Sequence, residues 1–155
     1  MKQQLNLFFK VKTPFNGYIY FSINQDDKQF LRSLMKSDLV KIVKEMLKED
    51  ETYYEMNGNF GLCYWGNHDI IRVRDYKNNL EFQKTLIHEI NHCVYHHLSQ
   101  RNIYQSTETT ETFSYLFEFL YGEVIEEINK TLKKIKTKIK KKPIVETQHP
   151  TEDQV

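Results

Sequence analysis

The run His88-Glu89-Ile90-Asn91-His92 places two imidazoles four residues apart, with a carboxylate directly after the first. On an α-helix, residues i and i+4 lie about 40° apart and one turn up, so two histidines at this spacing converge on one ion. Glu89 lies about 100° from His88 and about 60° from His92 on the same side of the helix. It is too far round to share the ion comfortably, yet it reaches a water bound there. Two zinc ligands and one general base are the parts of a Zn2+-dependent hydrolytic centre.

Such a centre needs a third ligand. The segment that follows offers Glu108, Glu111 and Glu118, and Glu111 stands 111 − 92 = 19 positions after His92. With that spacing the chain resembles the gluzincins, the thermolysin-like branch of the zincin metallopeptidases, whose third ligand is a Glu on the following helix. The run Glu111-Thr112-Phe113-Ser114-Tyr115-Leu116 also resembles the Glu-bearing helix of small metallopeptidases carried by phages and other mobile elements. The resemblance spans roughly residues 60–125. It implies an α+β, zincin-like fold, a peptide or protein substrate, and Zn2+ held by His88, His92 and Glu111, with Glu108 as the rival ligand. The metzincin pattern fits less well, because it needs a further His where this chain has Leu98.

The resemblance also implies a mechanism in which Glu89 accepts a proton from water attacking the scissile carbonyl. Tyr115 comes one turn after Glu111, so it shares a cleft with Glu111 if that residue faces the metal. Its phenol is then a candidate donor to the developing oxyanion, with a core tyrosine as the competing reading. His68 is a second, weaker candidate donor. His96 is about 12 Å along the helix from His88, too far to share its ion, and reads as a cleft or surface residue. His97 falls on the apolar arc and reads as a packed, hydrogen-bonded histidine.

The elements that position these residues show in the periodicity. Residues 5–11 and 17–23 are rich in aromatic and β-branched types around Pro14, Asn16 and Gly17, as a hairpin or two adjacent strands would be. From Asp26 to Lys48 the apolar residues recur at helical spacing, and Ser37-Asp38 is a candidate break. Residues 52–56, 60–65 and 69–74 read as short strands separated by Asn57-Gly58-Asn59 and Gly66-Asn67-His68. Arg72 and Arg74 alternate with Ile71 and Val73, the pattern of a half-exposed strand. One of the last two strands is expected to edge the cleft, where it could align extended peptide by backbone pairing. Asn78 and Glu81 have capping-box spacing for a helix running to about Ser99. A further helix is expected from Ser106 or Thr107 past Glu127. The small sheet should pack on the first helix and on the helix carrying His88.

Within that helix, Phe82, Leu86, Ile90, Cys93 and Val94 fall roughly opposite His88, which separates a packing face from a chemical face. The 155 residues, with ten Phe and ten Tyr, suffice for one core. We place a zincin-like domain at residues 1–128 and a lysine-rich helical extension with a loose tail at 129–155. The net charge of +1 gives no overall pull toward nucleic acid or anionic membrane. The lysine cluster itself is a candidate contact for nucleic acid or an acidic partner. The two cysteines, Cys63 and Cys93, make no disulfide framework and read as small core residues. No apolar run approaches a membrane span, and the N-terminus is too polar for a signal peptide. A cytoplasmic setting is expected, that of the host cell if the protein is phage-borne. The alternative to a hydrolase is a catalytically silent zincin-fold module with a binding or regulatory role.

Overall fold

Aromatic and β-branched residues pair the first two runs into a hairpin. Strand β1 (Leu7–Lys12) is antiparallel to β2 (Tyr18–Ile23), with Leu7 opposite Ile23 and Lys12 opposite Tyr18. The computed structural model describes residues 5–65, 68–77 and 79–140 of the chain. Expectations for Gly66, Asn67, Asn78, the N-terminal four residues and the tail at 143–155 lie outside the described residues.

The helical run after β2 divides as the Ser37-Asp38 signal suggests. Helix α1 (Asp27–Met35) opens on a capping box between Asp26 and Gln29, and α2 (Val40–Glu49) follows a turn in which Ser37 Oγ accepts from the Leu39 amide. Asp38, in that turn, accepts from Lys10 Nζ at 2.5 Å and Tyr20 Oη at 2.8 Å, which ties the turn to the hairpin.

Residues 52–56 are not a strand. Asp50 Oδ1 accepts from both the amide and the hydroxyl of Thr52, and the chain turns there. Such local side-chain capture competes with sheet pairing. The Asn57-Gly58 turn does form, with φ of 47° and 87° and the Asn59 amide donating to the Met56 carbonyl, but no strand precedes it. Strands β3 (Gly61–Tyr64) and β4 (Asp69–Val73) are antiparallel, and β4 runs parallel to β2. The sheet order is β1-β2-β4-β3, which leaves β3 on an edge.

Two helices follow, α3 (Leu80–Ser99) and α4 (Thr110–Lys140). Asn79 caps α3, its side chain accepting from the Phe82 amide. Helix α4 starts later than expected, because residues 106–109 close on themselves through the Thr109 hydroxyl.

The architecture is α+β, a four-stranded mixed sheet with helices on both faces. Ile19, Phe21, Ile23, Ile71 and Val73 pack on α3 and α4, while Tyr20 and Ile70 pack on Phe30, Leu34 and Val43 of the first two helices. Covering both faces corrects the half-exposed reading of β4. Arg72 is fully buried, its guanidinium 4.0 Å from the Phe30 ring, paired with Asp27 Oδ1 at 3.0 Å, and donating to the Tyr54 carbonyl at 2.6 Å. A buried cation survives because it is paired and hydrogen-bonded. No described helix is long and apolar enough to cross a membrane.

Candidate metal centre

Helix α3 lies across the inner face of β4 and β3 with Phe82, Leu86, Ile90, Cys93, Val94 and Leu98 buried. That packing fixes its rotation and leaves His88 and His92 exposed on the opposite side. Their Nε2 atoms stand 3.0 Å apart, with the rings nearly perpendicular at 86°. Two imidazoles on a tetrahedral zinc, with Zn–N near 2.0–2.1 Å, would hold their nitrogens about 3.3 Å apart. The pair is therefore close to the separation one such ion imposes.

Glu89 sits behind the pair, between α3 and the edge strand, and is only 7 % exposed. Gly61 of β3 makes room for it. A Cβ at position 61 would stand 2.7 Å from Glu89 Oε1 and 2.6 Å from Thr85 Cγ2. Burial pushes the Glu89 carboxyl above its ordinary range, against the opposing pull of His88 and His92. A carboxylate so placed is a better proton acceptor than an exposed one.

The other expected site residues are not brought to the pair. Among the described residues no three His, Cys, Asp or Glu side chains form a group able to hold a metal. Tyr95 of α3 packs on Phe113 of α4 at 4.9 Å, and one groove is lined by Asn91, Phe117 and Glu118 as well as by these two. The helices thus run antiparallel. By that register Glu111 sits about 8 Å beyond His92 along the axis. Glu108 is in the turn before α4. The α4 carboxylate level with the pair is Glu118. Tyr115 lies on another flank of α4, edge-on to Phe15 at 6.4 Å and stacked on Phe119 at 6.5 Å, so it does not share the histidine cleft. His68 lines a small cavity with Ile42, Met46 and Tyr54 on the α2 side of the sheet.

Asp69, at the start of β4, is a participant that sequence spacing does not announce. Its buried carboxylate accepts from His96 Nδ1 at 2.6 Å and from His97 Nδ1 at 2.7 Å. His97 is buried, with Thr13 Oγ1 3.0 Å from its Nε2, as a packed histidine should be. His96 is half-buried, and Trp65 stacks on its ring at 5.7 Å and 11° while leaning on His92 at 6.1 Å. Cys93 is buried and Cys63 is partly buried beside it, both as free thiols.

The chain matches no known family model, no curated protein and no solved structure.

Proposed function

We propose that this chain is a small zinc-dependent hydrolase of zincin-like fold, cleaving peptide bonds. The observation that carries the reading is the convergence of the His88 and His92 Nε2 atoms at 3.0 Å beside the buried Glu89 carboxylate. These histidines would hold the metal, and a carboxylate of α4 would complete the set. When bound, zinc polarises a carbonyl and lowers the pKa of its water toward about 7. Glu89 takes the proton from the attacking water and delivers it to the leaving amine, a role its raised pKa suits. Strand β3, on the sheet edge and directly against Glu89, offers backbone groups that would pair with an extended substrate. The test is metal analysis of protein purified without a histidine tag, combined with Glu89→Gln. The expected outcome is about one zinc per chain in both proteins, with hydrolysis reduced about 100- to 10,000-fold in the variant.

One observation favours a second reading, the catalytically silent module. Among the described residues no third ligand stands with the pair. Zinc bound equally by both proteins, with no hydrolysis of any peptide by the wild type, would select that reading. The lysine-rich end of α4 is a separate surface, and we assign it contact with nucleic acid or another polyanion.

A further inference from the structure

Three of the six exposed aromatic side chains among the described residues surround one cavity. Trp65 is 53 % exposed, Tyr95 43 % and Tyr104 65 %, and all three line a cavity of about 330 Å³ floored by Phe113. His92 and His96 form part of its wall. The volume is at the lower end for small-ligand sites. It suits one aromatic side chain and its flanking backbone.

His96 is held as a reading head. Its Nδ1 donates to Asp69 Oδ1 at 2.6 Å, and Trp65 stacks on its face. Asp69 is itself buried and anchored by His97 at 2.7 Å. In the tautomer whose Nδ1 donates to Asp69, Nε2 is an acceptor. Gln100 Nε2 stands 3.4 Å from His96 Nε2, a distance that leaves room for a better partner. An apolar, aromatic-walled cavity with one oriented acceptor fits an aromatic ring that ends in a hydroxyl.

We propose that this cavity is a side-chain subsite that selects tyrosine, with the ring against Trp65, Tyr95 and Tyr104 and the phenol donating to His96 Nε2. Because His92 shares the wall, the selected tyrosine would flank the bond presented to the histidine pair. Only that last step rests on the hydrolase reading.

Trp65 is the only tryptophan in the chain, so its emission reports directly on the cavity. The full chain is titrated with N-acetyl-tyrosine amide and with the phenylalanine and leucine counterparts. Saturable change in Trp65 emission is expected, with tyrosine bound about tenfold more tightly than phenylalanine, the effect of about one hydrogen bond. His96→Phe, which keeps a ring under Trp65 but has no acceptor, is expected to bring the two probes to equal affinity. Tyr104→Ala, on an exposed loop, is expected to weaken both probes alike. Equal affinity for tyrosine and leucine, or no saturable change with any probe, overturns the subsite. A peptide library separates the two readings. Cleavage with no preference for a neighbouring tyrosine overturns the placement of the subsite beside the cleaved bond and leaves the hydrolase standing. Tyrosine-selective probe binding without cleavage upholds the subsite and removes the hydrolase.

Discussion

Glu89 carries a stability cost that can be read without any substrate. Its folded-state pKa is raised above 4.5, chiefly by desolvation. Below about that value both folded and unfolded chains bind the proton. As pH rises from there, the unfolded carboxyl ionises freely, while the folded one must ionise in a desolvated place. Stability of the metal-free protein therefore falls as pH rises through this window. Glu89→Gln removes the effect, so in chelator-treated protein its melting temperature should exceed that of wild type at neutral pH and approach it at acidic pH. A wild type more stable than the variant at neutral pH would mean that the carboxylate is held by an interaction it would lose as an amide. A second residue-scale prediction concerns the third ligand. Glu118 stands level with the histidine pair, whereas Glu111 lies toward the far end of α3. Zinc affinity is expected to fall further in Glu118→Gln than in Glu111→Gln. The reverse order, measured by competition with a chelating dye, would restore Glu111, and loss confined to Glu108→Gln would favour the loop carboxylate.

Between elements, β3 meets α3 closely at Gly61. Gly61 has no room for a methyl group against Thr85 and Glu89. Gly61→Val should destabilise by about 1–3 kcal/mol through overpacking. It should also disturb the edge strand, so thermal melting and hydrolysis are expected to fall together. Undiminished stability would mean that β3 moves aside freely. The other end of α3 is fixed by Asp69 and by Arg101, whose guanidinium reaches the Phe15 and Asn16 carbonyls in the turn between β1 and β2. Asp69→Asn puts an amide donor where one of two imidazole donors expects an acceptor. An unsatisfied buried group costs about 1–3 kcal/mol, and urea unfolding at neutral pH should show a loss in that range.

Across the whole molecule, charge is segregated although the total is only +1. Residues 1–128 hold 14 Lys and Arg against 18 Asp and Glu, and residues 129–142 hold eight lysines and no acid. Helix α4 runs through the boundary at residue 128 without a break, so the cationic stretch is rigidly joined to the domain as far as Lys140. Ile128 is buried and Leu132 packs on the core, whereas Lys130, Lys133, Lys134 and Lys136 point to solvent and Ile139 is exposed. Engagement of about four phosphates would make duplex binding weaken with salt at a log–log slope of about −3.6. Lys133→Glu with Lys134→Glu and Lys136→Glu should abolish that binding while zinc content and melting stay unchanged. A salt-insensitive association would point to an apolar contact through Ile139.

The His88-Glu89-Ile90-Asn91-His92 face, the length of α3, the break at Ser37-Asp38 and the packed character of His97 were legible in the chain itself. All of them depend on helical periodicity or turn chemistry over a few residues, which backbone geometry fixes locally. Partnership across the fold was not legible. Arg72 looks solvent-facing until α1 and the Tyr54 turn close over it. Asp69 has no signature until β4 carries it under His96 and His97, 27 and 28 positions later. The apparent strand at 52–56 lost to capture by Asp50. Counting from His92 points to Glu111, and counting one turn on from Glu111 points to Tyr115. Their actual level and flank depend on how the loop from Gln100 to Thr109 sets α4 against α3, and that phase is decided by packing Tyr95 on Phe113 and Leu116 into the core. Local spacing fixes which residues share a face of one helix, while the residues opposite that face are chosen by long-range burial, which no single segment encodes.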